Sequence, residues 1–96
     1  MKRTIRLSIQ IIDYVRRLAP EPRRAIKGAL TDLRDEKGDI RALEATLSGY
    51  YRLRVGRYRI VFSYAKDHAI EAIFIEERSL VYELFEAEFI KKLKRE

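Results

Sequence analysis

"SGYYRLRVGRYRIVF", Ser48 to Phe62, is the stretch on which the fold turns. Tyr51, Leu53 and Val55 alternate with Arg52 and Arg54, the period of a strand with one apolar face. After Gly56-Arg57 the alternation resumes, with Tyr58, Ile60, Phe62 and Tyr64 on one face and Arg59, Val61 and Ser63 on the other. A two-residue turn joining such runs is a hairpin signal. It pairs Val55 with Tyr58, Arg54 with Arg59, Leu53 with Ile60 and Arg52 with Val61. The apolar partners then share one face, and Arg52, Arg54 and Arg59 share the other.

On either side of the hairpin the period changes. Thr4–Ser8 alternates weakly and reads as a short strand, after which Ser8 caps a helix carrying Ile11, Ile12, Val15 and Leu18. "APEP" at 19–22 stops that helix, and Pro22 suits the first turn of a second one over about 22–37, closed by Gly38. Its apolar face holds Ile26, Ala29, Leu30 and Leu33. Residues 38–49 form a connection whose Ile40, Leu43 and Leu47 tuck under the fold. A turn at Lys66-Asp67-His68 leads to a third hairpin strand, about 69–76. From Ser79 the spacing is helical again, through Val81, Leu84, Phe85, Phe89 and Leu93, ending in "KKLKRE". The expected order is β-αα-βββ-α. This is an α+β domain with a mostly antiparallel sheet, packed on an N-terminal helical hairpin and completed by a C-terminal helix.

The 96 residues suffice for a single domain, 1–96, with one modest core. The mean hydropathy of −0.35 suits a soluble chain, and there is no cysteine for disulfides, thiolate chemistry or thiolate-bound metal. The basic start of the chain is broken by Arg6 and lacks the long apolar core of a signal peptide. No apolar run nears the roughly 20 residues needed to span a bilayer. A cytoplasmic protein is expected. The formal net charge of +6 favours polyanions or an acidic protein partner. That charge is unevenly placed: residues 1–66 carry 16 basic and 7 acidic side chains, residues 67–96 only 5 and 8.

Arg54 facing Arg59 is electrostatically costly, since like charges opposite each other weaken a sheet by up to about 1 kcal/mol. The spacing fits two readings. One is a solvated strand face, with arginine stems lying on the sheet and their heads in water. The other is an anion site, because guanidinium forks match phosphate geometry. Tyr50, Tyr51 and Tyr64 are core, rim or base-stacking residues, core being the better reading for the last two. Arg78 and Tyr82 stand four apart at the start of the final helix. Tyr82 lies off the apolar stripe, as a half-buried tyrosine or as a hydroxyl aimed at the open face of the sheet. His68, the sole histidine, falls in a turn without metal-ligand neighbours, which disfavours both zinc and His-based acid–base catalysis.

"LSGYYRLRVGRYRIVF" (47–62) resembles the Leu-x-Gly-x-Tyr-Arg-Leu-Arg-Val-Gly-x-Tyr-Arg-Ile-Val-Tyr signature of the RelE/ParE toxin superfamily. "ERSLVY" (77–82) is similar to its arginine-x-x-x-tyrosine element before the last helix. The resemblance spans nearly the whole chain in element order. It implies the toxin of a type II toxin–antitoxin system, with a cognate antitoxin as partner. On the RelE side it implies an mRNA interferase, an endoribonuclease that cuts message in the ribosomal A site without metal or cofactor. By position, Arg52, Arg54, Arg59, Arg78 and Tyr82 would be its catalytic residues, and Arg52, Arg54, Arg57, Arg59 and Tyr50 would bind RNA. The chain departs from the pattern in three ways. Arginine stands at 52 and 54 where some nucleases of the family have lysine, Arg57 stands where an acid is common, and Glu76-Glu77 precede Arg78, so that Glu76 could neutralise Arg59. The alternatives are a ParE-like DNA gyrase inhibitor without nuclease activity and an inactive RelE-fold protein-binding module.

Overall fold

The hairpin forms in the expected register. In the computed structural model, which describes residues 2–77, β3 (Tyr51–Val55) pairs with β4 (Tyr58–Tyr64) through Val55–Tyr58, Arg54–Arg59, Leu53–Ile60 and Arg52–Val61. Gly56 has φ +58° while Arg57 stays at negative φ, the pattern of a type II′ turn with glycine in its first central place. Before the hairpin come β1 (Thr4–Leu7), α1 (Ile9–Arg16), α2 (Pro20–Leu33) and β2 (Asp39–Ala42), and after it β5 (Ala69–Glu77). The helix expected from Ser79 onward lies outside the described residues.

The five strands lie in the order β1-β5-β4-β3-β2, antiparallel except for β1, which runs parallel to β5. The sheet is therefore mostly antiparallel, and the α+β expectation holds. Both helices pack on one face of it. Ile11 of α1 and Ile26 and Leu33 of α2 meet Leu53, Ile60, Phe62, Ile70 and Ile75, all essentially buried. Phe62 stands at the centre, its ring 5.6 Å from those of both Tyr51 and Tyr64. A β-bulge between Val61 and Phe62 shifts the β4–β5 register, so that Val61 faces Phe74 but Phe62 faces Ala72.

Three local expectations are revised. Helix α2 begins at Pro20, not Pro22, because either proline fits a first turn whose N–H groups need no partner. It ends at Leu33, ahead of Gly38. Glu36 takes the left-handed conformation (φ +57°), with Glu36 N bonded to Leu33 O and Lys37 N to Asp32 O. Gly38 is required for another reason, since a Cβ there would lie 2.8 Å from Leu53 Cδ1 and its φ of +132° suits glycine alone. Third, the connection 38–49 contains β2, and its apolar residues part company. Ile40 joins the helix-side core, whereas Leu43 and Leu47 cross to the opposite face and cover Val61 with Tyr50 and Phe74.

Strand β1 pairs with only the first half of β5, Ala69 to Ala72. The start of α1 serves the rest. Ser8 Oγ accepts from Ile11 N at 3.2 Å as the N-cap and donates to Ile73 O at 2.6 Å. The Gln10 amide then imitates a neighbouring strand, donating to Ile75 O at 2.8 Å and accepting from Ile75 N at 2.9 Å. Gln10→Ala strands both groups at a half-buried edge, for a cost of about 1–3 kcal/mol. Chemical denaturation should register that loss, and hydrogen exchange should place it at the Ile75 amide.

Candidate nucleic-acid interface

The arginine face is built by strand alternation. Because Leu53 and Ile60 point to the helices, Arg52, Arg54 and Arg59 point the other way, and Arg54 stands directly across from Arg59. Strand β2 adds a fourth cation: Arg41 is in register with Arg52. The shared anion of this face also comes from β2. Asp39 Oδ1 lies 3.3 Å from Arg52 Nη1, and its Oδ2 lies 3.2 Å from Arg54 Nε. Arg52 Nη1 donates in addition to the Asp39 carbonyl at 3.3 Å.

These contacts give the arginines different characters. Arg52 is 8% exposed, held from the side by Asp39 and fixed in place. Arg54 shares that carboxylate but remains in solvent. Arg59 Nη1 donates to Gly56 O at 2.8 Å and Tyr58 O at 3.0 Å. Among the described residues no carboxylate forms an ion pair with Arg59. Carbonyl bonds orient the fork without cancelling its charge.

The suspected neutraliser goes elsewhere. Glu76 is opposite Arg59 in register, yet its carboxylate accepts from the Tyr14 hydroxyl at 3.1 Å and from Glu77 N at 3.2 Å. Burial and the nearby Glu76 and Glu77 charges push the Tyr14 phenol well above its ordinary pKa, so it stays protonated and donates. Arg57 parts from the other arginines. Its guanidinium sits 5.4 Å above the Tyr58 ring, on the helix side of the hairpin, with Nε 3.6 Å from Glu77 Oε1. Bonding to the Tyr58 hydroxyl and the Glu77 charge raise its pKa further.

Tyr50 is half-buried at the start of β3, packed beside Leu47 and Val61 on the arginine side, while Tyr51 and Tyr64 belong to the core. Arg78 and Tyr82 lie outside the described residues. The structure thus brings Arg52, Arg54 and Arg59 to one face, with Tyr50 nearby, and places Arg57 apart. Asp39 and Arg41 were missed because the sequence around them read as a connection. Their signal is the alternation Asp-Ile-Arg-Ala at 39–42, too short to stand out.

Asp39→Asn separates the two contributions of this carboxylate. Leaving the buried Arg52 with only a carbonyl partner should cost about 1.5–3 kcal/mol of stability. The face should meanwhile gain a net positive charge and bind single-stranded RNA more tightly. For one further phosphate contact, the log–log salt slope steepens by about 0.7. Thermal melts and salt-titrated filter binding read the two effects separately.

A scan against family models and a search of curated proteins found no match. Solved structures do match. The chain is similar to the toxin–antitoxin complex RelBE2 from Mycobacterium tuberculosis, with TM-score 0.69 and 22% identity over 81% of this chain and 100% of that one. It is similar to the archaeal RelE–RelB complex from Pyrococcus horikoshii, with TM-score 0.68 and 26% identity over 82% and 98%. The YoeB dimer from Staphylococcus aureus gives TM-score 0.62 and 20% identity over 81% and 99%. Each match covers nearly the whole of the solved chain. In its α+β fold, with two helices on a mostly antiparallel sheet, the chain is similar to these RelE and YoeB structures.

Proposed function

We propose that the chain is the toxin of a toxin–antitoxin pair and that its arginine face cuts messenger RNA in the ribosomal A site. Similarity to structures described as toxin–antitoxin complexes supports the first part. The second rests on one observation: Arg54 and Arg59 are held opposite each other, with a single carboxylate, Asp39, shared between Arg54 and Arg52.

The reaction needs no metal. The 2′-hydroxyl of the message attacks the adjacent phosphorus, the bond from phosphorus to the 5′ oxygen breaks, and a cyclic 2′,3′-phosphate and a 5′-hydroxyl result. One proton leaves the attacking oxygen and one reaches the departing oxygen. The phosphorane-like transition state carries extra negative charge, which Arg54 and Arg59 stabilise from fixed positions. Arg52, buried and tied to Asp39, acts as a positioning residue for Arg54 through their common carboxylate. Arginines stay protonated, so they do not exchange those protons. Tyr82 is assigned to proton exchange or to stacking on a base, Arg78 to phosphate contact, and Tyr50 to the edge of the RNA track. Arg57 does not belong to that track.

Primer-extension mapping of message after induction tests this reading, with cuts in translated regions as the expected outcome. The neutralising role of Asp39 favours a second reading, a binding-only toxin that inhibits gyrase. Loss of DNA supercoiling activity with intact message would select it.

A further inference from the structure

Two carboxylates stand at the end of β5 beside the arginine face, and both are drawn away from it. Glu77 shares the parity of Ile75, which points to the helices, and its Oε1 lies 3.6 Å from Arg57 Nε on that side. Glu76 has the opposite parity. Its register puts it directly across from Arg59, on the face that also carries Arg54. An arginine and a glutamate so placed in an antiparallel pair attract each other, and both side chains are long enough to meet. The pair does not form. Glu76 Oε1 accepts instead from the Tyr14 hydroxyl at 3.1 Å and from Glu77 N at 3.2 Å.

The way the sheet ends makes this detour possible. Strand β1 leaves β5 after Ala72, so among the described residues no strand flanks β5 at Glu76, and α1 lies along that border. Gln10 and Tyr14 are four apart on α1 and share a helix face. Gln10 engages both backbone groups of Ile75, and Tyr14 takes the side chain of the next residue. One face of the helix thus grips first the backbone and then the carboxylate. Tyr14 is itself held in place: half-buried against the core, its ring stands edge-on to that of Tyr58 at 6.2 Å. Burial above all, and then the Glu76 charge, keep its phenol protonated well beyond neutral pH, so the donor persists.

We infer that Tyr14 is a positioning residue for the arginine face, its hydroxyl holding the Glu76 carboxylate off Arg59 and so preserving the cation that meets the phosphate. Without that hydroxyl the carboxylate has no side-chain donor among the described residues, and Arg59 is the cation across from it. Arg59 is open to such a partner, since its Nη1 bonds go to the carbonyls of Gly56 and Tyr58. An ion pair formed there would compete with RNA for the same fork. Asp39 supplies the contrast, because its carboxylate stays on the face and pairs with Arg52 and Arg54. The assignment rests on the reading of this face as an RNA site and adds to it a residue from the helical layer.

Tyr14→Phe keeps the ring and deletes the donor. It should weaken binding of single-stranded oligouridylate, and lower cleavage of message on ribosomes, by about three- to fivefold, the scale of an exposed ion pair. The log–log salt slope of binding should become shallower by about 0.7 if one phosphate contact is lost. Tyr14→Phe/Glu76→Gln lacks the same hydroxyl but also the competing charge, so it should return binding and cleavage to the parent's level. A loss that persists in the double variant marks Tyr14 as structural only and overturns the assignment. So does a folded Tyr14→Phe protein that binds RNA as the parent does. Nitrogen-15 NMR of the Arg59 Nε–Hε group in the free protein separates this claim from the cleavage reading. Its resonance should shift in Tyr14→Phe and return in the double variant, whether or not the parent cuts message. An Arg59 resonance unmoved by Tyr14→Phe overturns the positioning role. With the shift and its reversal observed, a parent that leaves message intact overturns the cleavage reading alone.

Discussion

Replacing Arg54 and Arg59 together by alanine should lower RNA cleavage on ribosomes by at least about 10²-fold, the loss typical when even one preorganised donor to a developing charge is removed. The same variant should fold as well as the parent. The two arginines face each other across the hairpin, so their removal relieves a repulsion of up to about 1 kcal/mol. The solvent-exposed Arg54–Asp39 pair that is lost contributes a similar or smaller amount. Melting temperature should therefore move by only a few degrees. Arg54→Lys/Arg59→Lys sharpens the result. Lysine keeps the charge but presents a point donor where arginine presents a planar fork, so this variant should retain RNA affinity better than turnover. Full cleavage by the alanine variant would refute the assigned site, and a collapse in melting temperature would show that the arginines hold the fold instead.

The largest effect on stability is expected at Phe62. Its side chain is wholly buried between the two helices and the sheet, with Tyr51 stacked on one side and Tyr64 edge-on at another. Phe62→Ala removes the ring and leaves a cavity that the β4 backbone, held by β3 and β5, cannot collapse to fill. Such truncations cost about 3–5 kcal/mol. Domains of this size have about 5–15 kcal/mol in total. The melting temperature should fall by about 20 °C. Circular dichroism would detect this, and a drop under about 5 °C would mean that the aromatic cluster is not the centre of the core.

What the chain reveals before folding depends on the range of the interaction. The β3–β4 hairpin was legible in full because three local signals coincide there: period-two alternation on both sides, a Gly-first two-residue turn, and aromatic partners that match in register. The helical hairpin was legible in kind but shifted at both ends, since "APEP" offers two prolines fit for a first turn and a glutamate took the left-handed place at the C-terminus. Strand β2 was not legible. Four residues with one β-branched side chain make too short a pattern, and the pairing that holds them comes from Arg54 and its neighbours across the sheet. The divergence of Ile40 from Leu43 and Leu47 has the same origin, because a connection has no faces until a sheet supplies them.

The site followed the same rule. Arg52, Arg54 and Arg59 could be assigned to one face from parity alone. The burial of Arg52 and the anion it shares with Arg54 could not, because Asp39 reaches both only through β2. Arg57 shows the limit of parity at a turn, where the side chain is free to choose a side. It settles over Tyr58, and Glu77 draws it there.

The amide of Gln10 against Ile75 also bears on how the sheet ends. An open strand border in a sheet invites extended segments from other molecules. Here a single side chain occupies the donor and acceptor that an intruding chain would need, so growth of the sheet along this border must first evict it. Resistance of this border to added strands thus hangs in part on one glutamine.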